Sequence, residues 1–94
     1  MKKRIVWEFQ IDNKSDFTDY DDTANLIIEE GYKEFIRGGC TSVKFEIGET
    51  INAGEEEKYF LEIDFTSNHE RDLRPGKNNT RAVRRTDLTK IGLL

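Results

Sequence analysis

The stretch Arg4-Ile5-Val6-Trp7-Glu8-Phe9-Gln10-Ile11 sets Ile5, Trp7, Phe9 and Ile11 on one face and Glu8 and Gln10 on the other. A period of two is the signature of a strand with one buried and one wet side. Trp7 on the inward face is expected in the core, where a large ring buries most area. Asp12-Asn13-Lys14-Ser15-Asp16 is turn chemistry, because these side chains mimic or cap backbone turns. Phe17-Thr18-Asp19-Tyr20 then reads as a short second strand, closing a hairpin with the first.

Asp21, Asp22 or Thr23 supplies a helix N-cap, with acidic residues at the positive end of the helix dipole. Ala24, Ile27, Ile28, Tyr32, Phe35 and Ile36 recur at helical spacing, and Glu29, Glu30, Lys33 and Glu34 are expected to face water. Gly31 weakens a helix by about 1 kcal/mol relative to Ala, so another demand must favour it there. Gly38-Gly39 ends the helix, since glycine adopts the left-handed conformation cheaply.

Val43, Phe45 and Ile47 alternate with Lys44 and Glu46, giving a third strand over about 41–47. Gly48 to Glu57 reads as a polar loop. Tyr59, Leu61, Ile63 and Phe65 share one face of a fourth strand, and Thr66 to Thr80 reads as turns. Arg81 to Arg85 is expected as a last edge strand with Val83 as its core residue, and the residues that follow as a frayed end. These elements sum to an α+β fold, a small twisted antiparallel sheet with one helix on its apolar side.

The composition narrows function. The chain has 94 residues, 35% hydrophobic and 36% charged, with ten aromatic rings from six Phe, three Tyr and one Trp. That is one small domain, too short for most enzyme architectures. Fifteen basic residues stand against nineteen acidic ones, a net charge of −4, which disfavours a general nucleic-acid or membrane binder. No run approaches the roughly 20 apolar residues of a membrane span. The single cysteine, Cys40, excludes an internal disulfide and a multi-cysteine zinc site, and fits a reducing compartment. His69 is the only histidine and has no nucleophile or orienting acid in pattern with it, so neither catalysis nor a metal site is expected. Glu55-Glu56-Glu57 reads as solvated loop. Charge is unevenly spread. Arg71, Arg74, Lys77, Arg81, Arg84 and Arg85 face only Asp72 within 71–85, which makes that segment +5 and the remainder −9. An acidic body carrying one cationic strip points to a localised anion site.

Trp7-Glu8-Phe9, the aromatic Phe17 and Tyr20-Asp21 resemble the opening of a WWE domain. Ile27-Ile28-Glu29-Glu30 with Tyr32 is similar to that family's helix signature. Ile63-Asp64-Phe65-Thr66-Ser67-Asn68-His69-Glu70 and Thr80-Arg81-Ala82-Val83-Arg84-Arg85 resemble its last two strands, above all in the versions found in Deltex-type ubiquitin ligases. Trp7, Phe17 and Glu29 stand where the family has its two tryptophans and its glutamate. The resemblance runs from about Ile5 to Arg85 and implies a curved antiparallel half-barrel packed on a single α-helix. It places the domain at 1–86 and a frayed tail at 87–94.

The resemblance also implies a non-catalytic binding module, since known members occur in ubiquitin ligases and poly-ADP-ribose polymerases and several bind ADP-ribose or iso-ADP-ribose units. The implied ligand site comprises Phe9, Phe17, Tyr20, Tyr59, Leu61, Glu70, Arg81, Arg84 and Arg85. Phe9 stands where binding members often have a tyrosine against adenine, and Leu61 at a second tyrosine position, with Tyr59 on the same strand face as a substitute ring. Arg81 occupies the place of an arginine facing phosphate, Arg84 and Arg85 match the basic pair after it, and Glu70 replaces a hydrogen-bonding glutamine. A carboxylate at about 6 Å and an effective dielectric near 20 repels each phosphate charge by about 2–3 kcal/mol before screening. A stacked base contributes about 1–3 kcal/mol, so the two effects are comparable.

Other readings stand beside these. Phe9 is either core or pocket rim, Glu29 is expected to pair with a basic side chain, and the Arg81–Arg85 charges suit either a solvated edge strand or an anion site. Three functions follow: an ADP-ribose or poly-ADP-ribose reader; a WWE fold that lost this chemistry and serves protein–protein interaction in a ubiquitination or ADP-ribosylation setting; and, least favoured given the −9 remainder, a single-stranded nucleic-acid binder. No cofactor and no membrane partner are expected. The expected setting is intracellular, cytoplasmic or nuclear.

Overall fold

A computed structural model describes residues 4–11, 15–90 and 92. Strand β1 (Ile5–Gln10) is followed by β2 (Phe17–Asp19), helix α1 (Asp22–Ile36), β3 (Ser42–Asn52), β4 (Glu55–Asp64), β5 (His69–Asp72) and β6 (Thr80–Asp87). The strands form one antiparallel sheet in the order β2-β1-β6-β5-β4-β3, curled into a half-barrel around the helix. The α+β fold read from the sequence is the fold found.

The inward face of β1 behaves as its alternation predicts. Trp7 is 1% exposed and packs edge-on against Tyr32 and Phe65, with ring centroids 5.5 and 5.7 Å away. Such pairs add about 0.5–1.5 kcal/mol beyond area burial. Ile28 and Ile63 are fully buried beside it, and Tyr20, Ala24, Phe45, Leu61, Phe65 and Val83 belong to the same core cluster. Ile11 and Ile36 are exposed, so the apolar stripe of β1 ends at Phe9 and that of α1 at Phe35.

Asp21 is the N-cap, and its carboxylate accepts from the Ala24 N–H at 2.8 Å. Gly38, at φ 83°, takes the left-handed conformation that ends the helix. Gly31 is explained by contact. A β-carbon there would lie 2.8 Å from Val43 Cβ, so only glycine lets α1 lie this close to β3. Asn25 fastens the helix to β1. β2 pairs with β1 only at Glu8, Phe9 and Gln10, which leaves the neighbouring edge of β1 without a strand. There the Asn25 side chain accepts from the Trp7 N–H at 2.6 Å and donates to the Ile5 carbonyl at 3.0 Å.

The structure corrects several expectations. Gly48–Glu57 is no loop: β3 runs to Asn52, β4 starts at Glu55, and Gly54 at φ 81° makes the tight turn between them. The 66–80 segment contains β5. β6 is interior, paired with β1 on one side and β5 on the other, so Arg81–Arg85 is not an edge. Tyr20 and Phe65 lie just outside the strands assigned to them. β6 also continues to Asp87, which pairs with Ile5, and the Leu88 N–H donates to the Arg4 carbonyl at 2.8 Å. The turn read at 12–14 and the last residues, 93 and 94, lie outside the described residues.

Candidate functional site

The alternation of β5 builds the candidate site. His69 and Arg71 point outward while Glu70 and Asp72 point inward, both buried. Two carboxylates inside a domain this small require partners, because an unpaired buried charge costs several kcal/mol. Glu70 has two. Its Oε1 accepts from the Tyr20 hydroxyl at 2.6 Å, and its Oε2 accepts from Arg81 Nε at 2.7 Å and Nη2 at 2.6 Å. Burial first, and then the Glu70 charge, push the Tyr20 phenol far above its usual 10, so it remains the donor. Arg81 is set by register, directly across from Glu70 on β6, and its guanidinium lies over the Phe9 ring at 4.1 Å. Phe9 in turn tilts against Tyr20, centroids 4.8 Å apart.

Asp72 forms the second inward pair. Arg74 donates to both its oxygens, with Nη2 at 2.6 Å, and to Glu57 at 2.7 Å, while its guanidinium covers the Tyr59 ring at 3.7 Å. Hydrogen bonds from Arg74 outweigh burial and hold the Asp72 carboxyl below its usual 3.8. Between the two pairs lies a cavity of about 220 Å³ lined by Glu49, Tyr59, Leu61, Glu70, Asp72, Arg74, Asn79 and Arg81. Its lining carries three carboxyl side chains and two guanidines, a formal −1.

The remaining basic residues follow the same rule at other places. Arg84 donates to Glu8 at 3.0 Å and lies over Phe17 at 4.0 Å. Arg85 makes a bidentate pair with Glu29 at 3.0 and 2.9 Å and lies over Tyr32 at 4.7 Å. Arg71 pairs with Glu62 at 2.5 Å. Burial alone would raise the Glu29 and Glu8 carboxyls, but hydrogen bonds from Arg85 and Trp7, and from Arg84 and Thr86, hold both below the usual 4.5. Four arginines, 74, 81, 84 and 85, thus each sit between a carboxylate and an aromatic ring. The five arginines of the cationic strip read as an anion site are each tied to a carboxylate, Arg74 to Asp72 within the strip and the others to Glu62, Glu70, Glu8 and Glu29. Glu29 faces Trp7 and Arg85 rather than water, as the expectation of a basic partner held and that of solvent exposure did not.

Of the residues singled out from the sequence, Tyr59, Leu61, Glu70 and Arg81 line one cavity, and Phe9 and Tyr20 adjoin it through Arg81 and Glu70. Phe17 and Arg84 stack on each other with Glu8, and Arg85 belongs to the Trp7–Glu29–Tyr32 group under the helix. Asp72, Glu49 and Asn79 are cavity residues that sequence reasoning missed, and Arg74 entered it only as part of the cationic strip. No apolar alternation marks Asp72, since His69-Glu70-Arg71-Asp72 is polar throughout. His69 is exposed and its Nδ1 donates to the Ser67 carbonyl at 2.8 Å, a turn contact. Among the described residues no group of three or more His, Cys, Asp and Glu is placed to hold a metal ion, and no helix is long and apolar enough to cross a membrane.

No curated protein matches the chain. The family model of the WWE domain matches residues 5–85. WWE domains are interaction modules of ubiquitin and ADP-ribose systems, a binding family and not a catalytic one. With that match spanning β1 to the Arg84–Arg85 pair of β6, on a half-barrel closed over one helix, the chain belongs to the WWE domain family.

Proposed function

We propose that this WWE domain engages protein partners through its folded surface, in an intracellular ubiquitination or ADP-ribosylation setting, and that its cavity does not take ADP-ribose. The observation that carries this reading is the Glu70 carboxylate, 3% exposed, with both oxygens already bonded and the Arg81 guanidinium neutralised against it. Three further facts support it. The cavity is formally −1, whereas a pyrophosphate is anionic. Its volume of about 220 Å³ lies below the range of about 300–1,000 Å³ usual for small-molecule sites. Arg81 covers a face of Phe9 and Arg74 one of Tyr59, the rings otherwise suited to adenine.

A second reading, recognition of ADP-ribose or iso-ADP-ribose units, is favoured by one observation. Arg81, Tyr59 and Leu61 line a common cavity, and Phe9 lies beside it. Calorimetric titration separates the two. Wild-type protein is expected to give no saturable heat with ADP-ribose, iso-ADP-ribose or AMP. Glu70→Gln removes a repulsion of about 2–3 kcal/mol per phosphate charge, which corresponds to on the order of 100-fold in affinity, so this variant is expected to gain measurable binding. Saturable wild-type binding in the micromolar range would establish the second reading and overturn the first.

A further inference from the structure

A separate groove lies on the outer side of the β3–β4 pair, lined by Lys44, Lys58, Tyr59, Phe60, Leu73, Arg74 and Pro75, with a volume of about 540 Å³. Phe60 projects outward from β4 and is 51% exposed. The chain after β5 forms the opposite wall, held by the Leu73 N–H donating to the Phe60 carbonyl at 3.0 Å. Tyr59 and Arg74 stand between this groove and the cavity on the inner side.

Charge sets the groove apart from the arginine-rich segment at residues 71–85. The arginines of the 71–85 segment all carry carboxylate partners. Lys44 and Lys58 make no ion pair among the described residues, and no carboxylate lines the groove. Glu46 is the register partner of Phe60 and Glu62 that of Lys44, but both lie outside the lining, and Glu62 is paired with Arg71. An acidic protein thus presents two ammonium groups without an ion pair on either side of an exposed phenylalanine, a leucine and a proline. Exposed apolar patches with a polar rim mark interaction sites, and complementary rim charge selects the partner.

We infer that this groove docks a short acidic peptide segment of a partner protein, one that places an aromatic or leucine side chain against Phe60 and Leu73 and flanking Asp or Glu side chains on Lys44 and Lys58. The inference rests on the interaction-module reading and adds to it the site and the chemistry of the partner.

The test is selection of a displayed random-peptide library on the full chain, followed by nitrogen-15 NMR mapping of the enriched peptides. The expected result is enrichment of sequences joining Leu or Phe to Asp and Glu, with shifts at Lys44, Lys58, Phe60 and Leu73. Binding should fall at least about tenfold in Phe60→Ser and in the Lys44→Glu/Lys58→Glu double variant, and weaken as salt rises. Thermal unfolding of both variants, expected close to wild type because the substituted side chains are exposed, keeps loss of binding distinct from loss of fold. Enriched peptides that map to the Glu70–Arg81 cavity or elsewhere, or that are not acidic, would overturn the groove while leaving the interaction-module reading intact. A library that yields no binder would overturn both. A dimer in sedimentation that Phe60→Ser dissolves would assign the groove to a second copy of the chain and overturn the peptide.

Discussion

Removing the Glu70 carboxylate should destabilise the fold by an amount that follows from its partners. In Glu70→Ala the buried Tyr20 hydroxyl loses its acceptor, which costs about 1–3 kcal/mol. Arg81 loses charge-assisted bonds that contribute about 1.5–3 kcal/mol, taken at the low end because its side chain is 30% exposed and can turn to water. Together these give about 3–4 kcal/mol, a large part of the roughly 5–10 kcal/mol expected of a small domain. Glu70→Gln keeps the shape and an acceptor for Tyr20, so about 1–2 kcal/mol is expected. Arg81→Ala leaves the carboxylate buried against Tyr20 alone, at about 3 kcal/mol. Because the two residues share one bond network, the Glu70→Gln/Arg81→Ala double variant should lose about 1–3 kcal/mol less than the sum of the singles. Urea unfolding read by fluorescence of the single tryptophan, Trp7, buried in the core, measures all of these. Additive effects, or a Glu70→Ala variant within about 0.5 kcal/mol of wild type, would refute the reasoning, since a surface substitution does no more than that.

Gly31→Ala should lower stability although alanine is the better helix former, because overpacking against Val43 costs about 1–3 kcal/mol against a propensity gain of about 1; calorimetry should show a lower Tm, and an unchanged or raised Tm would contradict the close approach. Asn25→Ala should cost about 2–3 kcal/mol by leaving the Trp7 N–H and Ile5 carbonyl unpaired, with faster amide exchange at Trp7 as its specific sign. Glu8, Glu29 and Asp72 are held below their usual values in the folded chain, so the unfolded chain binds protons first as pH falls. Their contribution is therefore full above about pH 5.5 and is lost as pH drops through the folded values, so a stability at about pH 3 equal to that at pH 7 would contradict these pairs.

Local periodicity disclosed β1, the helix and the inner face of β4, since each carries large apolar residues at the spacing of its own element. β5 was hidden because His69-Glu70-Arg71-Asp72 contains no apolar residue; its inward positions are carboxylates whose partners come from Tyr20, Arg74 and Arg81. The outer half of the β3–β4 hairpin was hidden for a related reason, since its one large apolar residue, Ile51, is exposed and makes no alternation. Strand order leaves no local trace, so the interior place of β6 was out of reach. The same holds for the arginines. Arg84 and Glu8 are 76 residues apart, and Arg85 and Glu29 are 56. Charge counted along the chain shows a cationic strip, whereas charge counted in space shows neutral pairs.

The state of the Arg81 guanidinium bears most directly on whether the cavity takes a phosphate. Proton–nitrogen correlation spectra of the wild-type chain report the Arg81 Nε–H, which donates to Glu70 at 2.7 Å. The expected result is a resonance protected from water exchange and unmoved as iso-ADP-ribose is added to millimolar concentration. A saturable shift of that resonance, accompanied by the Phe9 ring, would show the guanidinium turning from Glu70 to a phosphate and would contradict the internally neutralised site.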